Sequence, residues 1–199
     1  MHHTKKLLAL ACALAVSAPV MADKGEFGVR ARALYMSVDS ATSPNPPSLD
    51  VEDRWIPEVD LSYWLSDNFA VELVLTYPQK HDVSLAGVGN IGSVKHLPPT
   101  LMFQYHFLPK QTLQPYVGLG VNYTRFSSVN LLNGAIQMEK DSWGLAGQLG
   151  ADIKLSKNLY LNLDAKYVKI DADLRTAAGH LTNLKIDPWL VGVGLGWRF

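Results

Sequence analysis

The chain has 199 residues, and its 18 basic and 18 acidic side chains give a formal net charge of zero. Hydrophobic residues make up 48% of the chain and charged residues only 18%. This composition excludes a disordered protein and offers no basic excess for binding nucleic acid. Beyond the N-terminus, no apolar run reaches the roughly 18 residues of a membrane-spanning helix. The length therefore fits one domain, either a soluble β-rich protein or a membrane β-barrel.

The N-terminus is typical of a secretory signal peptide. Lys5 and Lys6 precede an apolar stretch over residues 7–16, and small residues follow it. That stretch is too short to cross a bilayer. We therefore predict a signal peptide over residues 1–22, cleaved and lost, and a single mature domain over residues 23–199.

The only cysteine, Cys12, lies inside this predicted signal peptide. A lipid anchor there is disfavoured, because the apolar stretch before it is too short. The mature domain is then expected to contain no disulfide. Its histidines do not have the spacing of metal ligands, so we expect neither a metal nor another cofactor.

Beyond residue 25, apolar and polar residues alternate with the period of two that is typical of strands. Eight segments show this alternation: 26–38, 55–65, 69–77, 97–107, 114–126, 142–155, 158–169 and 187–199. Short turns and long connections alternate between them. We expect the long connections, residues 39–54, 78–96, 127–141 and 170–186, to be surface loops.

Alternation alone leaves open which face is inside. A soluble barrel turns its apolar face inward, whereas a membrane barrel turns it outward. The predicted signal peptide, the even number of strands and the alternating connection lengths favour the membrane. Aromatic residues also tend to end the apolar faces, as in the girdles of membrane barrels: Tyr63, Phe69, Tyr77, Tyr123, Tyr167, Trp189 and Trp197. We therefore predict an all-β fold, an eight-stranded antiparallel up-and-down transmembrane β-barrel with short periplasmic turns and long extracellular loops.

The polar faces would then meet in the lumen. They carry charges of both signs in near balance: Arg30, Arg32, Glu58, Asp60, Glu72, Asp152, Asp164, Lys166 and Arg198. Buried charges must pair, because desolvating an unpaired charge costs several kcal/mol. We therefore predict a charge network in the lumen, with the glycines at positions 118, 120, 192, 194 and 196 making room for it. Eight strands enclose a space that side chains roughly fill, which excludes a wide pore.

Several sequence motifs resemble those of the outer-membrane protein W (OmpW) family, in order along the mature chain. They are His96-Leu97-Pro98-Pro99-Thr100, Gln114-Pro115-Tyr116-Val117-Gly118, Lys140-Asp141-Ser142-Trp143-Gly144, and the ending from Asp187-Pro188-Trp189 to Arg198-Phe199. The resemblance implies an outer-membrane barrel with both termini in the periplasm. It also implies passive passage of small hydrophobic molecules, which enter from outside and leave sideways into the bilayer.

For such a sideways exit, the candidate ligand path through the barrel wall consists of Val74, Leu97, Pro98, Pro99, Met102 and Leu190. Adjacent prolines remove two ladder donors and so weaken strand pairing, although they can equally mark the start of a strand. Val74 keeps the apolar character of the family's luminal constriction. Lys166 stands where an aromatic residue is expected, which argues against a purely hydrophobic gate.

Two other classes of function stay open. In a structural or receptor barrel, the loops bind phage, bacteriocins or host surfaces and nothing is transported. In a lipid-modifying enzyme, histidine and serine carry the chemistry, but His81, His96, His106 and His180 do not form a nucleophile–base pattern with Ser84. We therefore predict that the protein is not an enzyme.

The expected partners follow from a location in the outer membrane. They are membrane lipid and lipopolysaccharide, small hydrophobic solutes, and the barrel assembly machinery, which would recognise the C-terminal strand through Trp197 and Phe199. We expect no nucleic acid partner and a monomeric protein.

Overall fold

The fold is taken from a computed structural model, which describes residues 25–38, 41–43, 49–51, 53–85, 89–176 and 179–199. The predicted signal peptide lies outside the described residues and remains a prediction. In the described part of the chain, the one helical segment is a 3-10 turn at Leu132–Gly134. No helix there is long and apolar enough to cross a membrane.

The strands, in chain order, are β1 (Phe27–Ser37), β2 (Ala41–Ser43), β3 (Leu49–Val51), β4 (Arg54–Trp64), β5 (Phe69–Thr76), β6 (Gln79–Leu85), β7 (Gly89–Leu97), β8 (Thr100–His106), β9 (Leu113–Leu131), β10 (Gln137–Met138), β11 (Asp141–Lys154), β12 (Leu159–Val168), β13 (Asp171–Thr176), β14 (Gly179–Lys185) and β15 (Trp189–Arg198).

Eight of these strands close into an antiparallel barrel. The order around it is β1, β4, β5, β8, β9, β11, β12 and β15. The barrel closes where β15 returns to β1, with Trp197 opposite Val29. At the seam Phe199 and Phe27 also exchange backbone hydrogen bonds. The predicted fold is confirmed, and each barrel strand falls within or overlaps one predicted segment.

The apolar face of every barrel strand points outward. On β4, for example, Val59 and Leu61 are each 46% exposed, whereas Glu58 and Asp60 are buried. The same division holds along β1 and β5, whose burial alternates residue by residue. A continuous apolar outer surface needs a bilayer to cover it, so the membrane arrangement is the correct choice of the two.

Aromatic pairs mark both edges of this apolar belt. At one edge the ring centroids of Phe27 and Tyr63 are 4.9 Å apart. At the other edge Tyr35 lies 5.5 Å from Trp55, Tyr123 4.9 Å from Trp143, and Tyr167 5.1 Å from Trp189. Phe27 and Tyr35 end the outer face of β1 and are about 20 Å apart along the barrel axis, for typical strand rise and tilt. That distance approaches the height of a membrane belt.

The long connections on one side of the barrel are not simple loops, contrary to the prediction. They contain β-structure that extends the barrel beyond the membrane belt. The upper half of β9 pairs with β7, which pairs with β6, which pairs with β3. A separate sheet has the order β10-β13-β14-β2. These pairings satisfy backbone hydrogen bonds that a bare loop would leave to water.

Glycines on β15 let long side chains of β1 lie flat across the lumen wall. Gly192, Gly194 and Gly196 stand opposite Leu34, Arg32 and Arg30. A Cβ atom on Gly194 would lie 2.7 Å from Arg32 Cγ, and one on Gly192 would lie 2.1 Å from Leu34 Cδ2. These positions therefore exclude larger residues, because the space is already filled.

Candidate functional site

The centre of the lumen is a buried network of ion pairs around Arg32. Its Nε lies 2.9 Å from Asp60 Oδ2, and its Nη1 lies 2.8 Å from Asp164 Oδ1 and 3.4 Å from Glu58 Oε1. Its Nη2 donates to Glu72 Oε1 at 3.0 Å. Lys166 Nζ joins the network by donating to Glu58 Oε1, and it lies 3.1 Å from Asp164 Oδ1.

A second branch of the network extends toward the end of the barrel that carries the chain termini. Arg30 pairs with Glu72 and donates to Asp152 Oδ2 at 2.8 Å. Arg198 Nη2 donates to the same oxygen at 2.6 Å. All nine residues predicted to form the luminal charge network thus lie in one connected set.

Aromatic rings close the lumen below this branch. The Arg198 guanidinium lies between two rings, 4.3 Å from the centroid of Trp64 and 4.1 Å from that of Tyr160. Such cation–π contacts are strongest where water is excluded. The gap that these residues line has no room for the centre of a water molecule.

Neutral polar side chains complete the packing between the charges. Tyr116 donates its hydroxyl to Asp164 at 2.7 Å and accepts from Asn162 at 3.0 Å. Gln148 donates to Asp164 at 2.8 Å and to Glu72 at 3.1 Å. Gln104 in turn donates to Gln148 at 2.9 Å. These three side chains therefore satisfy part of the hydrogen-bonding capacity of the buried carboxylates without water.

Above the network the lumen becomes apolar and contains a cavity. About 30 Å³ of it is open to the centre of a water molecule, within roughly 490 Å³ of unfilled space that is partly open to solvent. The apolar lining consists of Met36, Ile56, Val74, Pro98, Val168, Ile170, Pro188 and Leu190. The polar lining consists of Glu58, Thr76, His96, Thr100, Asn122 and Lys166.

The barrel wall beside this cavity is interrupted. Strands β5 and β8 pair as far as Val74 opposite Thr100, and pairing resumes only between Gln79 and His96, on β6 and β7. Pro78, Pro98 and Pro99 lie in the unpaired interval and have no backbone N–H to donate. The three prolines therefore prevent a continuous ladder of backbone hydrogen bonds on this side of the segment.

The opposite side of the same segment is held firmly. The backbone N–H of Tyr123 donates to the Pro99 carbonyl oxygen at 3.0 Å. The Asn122 side chain donates to the carbonyl oxygens of Pro98 and Pro99 at 3.3 Å each, and to Thr100 Oγ1 at 2.8 Å. The two prolines are thus attached to β9, and the interruption faces only β5 and β6.

The predicted ligand-path residues lie in three different places. Val74, Pro98 and Leu190 line the cavity. Met102 is fully buried below it, with its thioether against Gly118 and Gly120. Leu97 is 37% exposed on the outer wall, and the half-buried Pro99 is not part of the cavity lining. The structure therefore does not bring the six residues together at one surface.

Sequence reasoning missed much of the cavity wall. Ile170 and His96 come from segments predicted to be loops, and Pro188 lies at the start of the last predicted strand segment. Their local pattern contained a usable indication, because Val168, Ile170 and Ala172 continue the inward positions of β12 across the end of that strand. Following the alternation beyond each predicted strand end would have found Ile170.

The described residues give no support for a nucleophile–base pair. His106 is buried and packs between Trp64 and Tyr116, at ring distances of 5.9 Å and 5.0 Å. Its Nε2 lies 3.3 Å from Gln104 Oε1. The side chains of His81 and Ser84 lie outside the described residues.

An apolar outer belt between two aromatic girdles, around a packed polar interior, defines this protein as an eight-stranded outer-membrane β-barrel. Two comparisons then give its family. The sequence model of the OmpW family matches residues 23–199. Outer membrane protein W of Vibrio cholerae is 35% identical, over 94% of this chain and 98% of its own length. The chain belongs to the OmpW family, and its location is the outer membrane.

The structural comparison agrees. The crystal structure of the outer membrane protein OprG from Pseudomonas aeruginosa matches with a TM-score of 0.78 and 30% sequence identity, covering 89% of this chain and 97% of OprG. A more distant relative from Pseudomonas aeruginosa is named as a dibenzothiophene metabolism operon protein, PahQ. It is 25% identical over 76% of this chain and 75% of its own length.

Proposed function

We propose that the protein conducts small hydrophobic molecules passively from the cell exterior into the outer membrane. The observation that carries this proposal is the position of the cavity, which lies above a sealed network and beside an interrupted wall. A solute that reaches the cavity meets packed charges below it. The interval between β5–β6 and β7–β8 then offers it a sideways route out of the lumen.

The upper lumen is suited to apolar solutes. Buried apolar side chains continue from the cavity into the extracellular β-structure, among them Val94, Phe126, Ala172 and Leu174. An apolar solute gains about 0.8 kcal/mol for each methylene that leaves water. The name of the relative PahQ connects that protein to dibenzothiophene, an apolar polycyclic compound, and this agrees with the proposed class of solute.

The lower lumen makes an axial route unfavourable. A solute passing downward would have to separate Arg32 and Lys166 from their carboxylates, and breaking a buried ion pair costs about 3–5 kcal/mol. A sideways exit separates no charges. It also delivers the solute directly to the hydrocarbon of the bilayer.

The test is solute flux into liposomes that contain the purified, folded protein. A fluorescent reporter in the lipid phase detects a small polycyclic aromatic, and an enclosed reporter detects a hydrophilic solute of similar size. We expect the protein to accelerate only the hydrophobic solute. The double substitution Pro98→Val/Pro99→Val restores backbone N–H donors to the segment beside the interruption and is expected to slow that flux severalfold.

Pro115→Val is the matched control, because Pro115 is a proline in barrel strand β9 that pairs with Ala151 near the end that carries the chain termini, away from the interruption. It should leave the flux unchanged. If the wild-type protein accelerates neither solute, the transport proposal is wrong. If it accelerates only the hydrophilic solute, the lumen itself is the channel.

A further inference from the structure

The cavity has apolar walls but a charged floor. Glu58 and Lys166 form this floor, and they are only 4% and 1% exposed. Thr100 and Asn122 stand beside them in the lining. An entirely apolar solute would cover these polar groups without replacing the hydrogen bonds that water offers them, which has a free-energy cost.

Both charged residues have hydrogen-bonding capacity left. Glu58 Oε1 accepts from Lys166 and lies 3.4 Å from Arg32 Nη1. Its Oε2 accepts no hydrogen bond within the part of the chain that the structure describes. An ammonium group has three N–H donors, and Lys166 directs two of them at most to Glu58 and Asp164. One carboxylate oxygen of Glu58 and at least one N–H of Lys166 are therefore left without a hydrogen bond among these contacts.

The space above this floor fits a small head group. About 30 Å³ is open to the centre of a water molecule, and a site of about 10–15 Å³ on this measure already holds one water. The rest of the unfilled space is bounded by apolar side chains, including Ile56, Val168 and Ile170. A polar head at the floor would leave its tail among these side chains.

We propose that the floor formed by Glu58 and Lys166 is a head-group subsite for small amphiphiles with a neutral hydroxyl head, such as short primary alcohols. This inference rests on the proposed function and names the class of solute that the cavity prefers. A hydroxyl both donates and accepts, so one group satisfies Glu58 Oε2 and the remaining Lys166 N–H together.

Charge distinguishes this head from the other polar heads. The network contains five carboxylates and four cations. A carboxylate head would add a further negative charge to it and would also lose its own hydration. A hydrocarbon carries no desolvation cost but leaves the floor unpaired. The hydroxyl head avoids both costs.

The experiment is methyl NMR of the protein in lipid nanodiscs, titrated separately with 1-heptanol, n-heptane and sodium heptanoate. The reporting methyls belong to Ile56, Val168 and Ile170, which line the cavity. Val59 and Val121 point outward, so their methyls measure mere partitioning of solute into the bilayer. We expect the lining methyls to respond to heptanol at about tenfold lower concentration in the lipid than to heptane, which corresponds to one net hydrogen bond. The response of the lining methyls to heptanoate should be the weakest of the three.

The double substitution Glu58→Gln/Lys166→Met removes one charge of each sign, so the net charge of the network is unchanged. It should abolish the preference for heptanol and keep the response to heptane. Glu139→Gln/Lys140→Met makes the same chemical changes at two exposed positions and should keep the preference. The wild-type ranking of the three ligands is a sufficient test if the luminal double variant does not fold.

The outcomes separate this inference from the proposed function. Equal responses to heptanol and heptane, or a stronger response to heptanoate, would overturn the head-group subsite and leave hydrophobic transport in place. If none of the three ligands shifts the lining methyls more than the outward ones, the cavity binds no solute. Both proposals would then be wrong.

Discussion

The lower and upper halves of the lumen are built by the same strands but hold opposite chemistry. On β1 the inward positions change from Arg30 and Arg32 to Leu34 and Met36. On β4 they change from Asp60 and Glu58 to Ile56 at the same height, since Glu58 pairs with Arg32 and Ile56 with Leu34 in the strand register. The change from charged to apolar thus takes place within one pair of residues, and in the proposed route it sets the depth at which an apolar solute stops.

The two halves also differ in how their atoms are satisfied. Below the change, charged and polar side chains bond to one another, and the gap at Trp64, Tyr160 and Arg198 has no room for the centre of a water molecule. Above it, apolar side chains pack around a cavity that reaches the interrupted wall. In the proposed route, the layer of paired charges blocks axial passage, so that no further narrowing of the barrel is required.

The largest expected effect on stability comes from removing Arg32, the centre of the network in the lower lumen. Arg32→Met removes the ion-pair partner of Asp60, whereas Glu58 and Asp164 keep Lys166 and Glu72 keeps Arg30. We expect a loss of about 3–5 kcal/mol in the free energy of unfolding, because the buried Asp60 carboxylate is then uncompensated. Urea unfolding in lipid vesicles, followed by tryptophan fluorescence, measures this change.

Lys157→Met is the control for this change, since Lys157 is exposed in the turn between β11 and β12. Its effect should be within about 0.5 kcal/mol of zero. An equally small effect of Arg32→Met would show that the network does not hold the lower lumen closed.

A second test adds a side chain to the lower lumen instead of removing a charged group from it. A Cβ atom on Gly194 would lie 2.2 Å from the Ala31 carbonyl oxygen and 2.7 Å from Arg32 Cγ. We expect Gly194→Val to destabilise the barrel by about 1–3 kcal/mol, the usual range for overpacking. Gly147→Val, where a Cβ atom meets nothing within 4 Å, should cost much less in the same unfolding assay. Equal costs would mean that strand glycines matter for backbone freedom and not for space.

The smallest of these effects is expected from a single neutral hydrogen-bonding group. Tyr116→Phe removes the donor to Asp164 Oδ2, an oxygen that still accepts from Gln148 at 2.8 Å. We expect a loss of about 1 kcal/mol in unfolding free energy. Tyr63→Phe on the outer face is the control and should change little. A loss above about 3 kcal/mol would instead indicate that Tyr116 is indispensable to the network.

The sequence predicts the barrel and its polar interior because both follow from strict alternation. Once a strand is placed, its parity decides which side chains face the lumen, and closure brings them together. That is sufficient to predict that Arg32 and Glu58 share an interior. It does not predict which carboxylate contacts which nitrogen, since those contacts depend on barrel stagger and rotamers.

The extracellular β-structure escapes prediction for a physical reason. The register shifts between Val83 and Ser84 and between Ser93 and Lys95, and each shift changes the parity of the strand. Ser128, with a φ of 50°, interrupts β9 in a similar way. The alternation that reveals barrel strands is therefore lost where the sheets continue beyond the membrane. For the same reason, the part of the cavity wall that these segments contribute cannot be predicted from the sequence.

The contrast between the two halves can be measured with one matched pair of cysteines. Ser62 and Thr100 are both inward-facing hydroxyl residues, 2% and 4% exposed, but Ser62 bonds within the charge network and Thr100 lines the cavity. In a Cys12→Ser background, each is replaced by cysteine and treated with methyl methanethiosulfonate after reconstitution into liposomes. The account predicts rapid modification of Thr100→Cys and none of Ser62→Cys until the barrel is unfolded. Equal rates of modification would show that the lower lumen is open, which would contradict the sealed interior on which the sideways route depends.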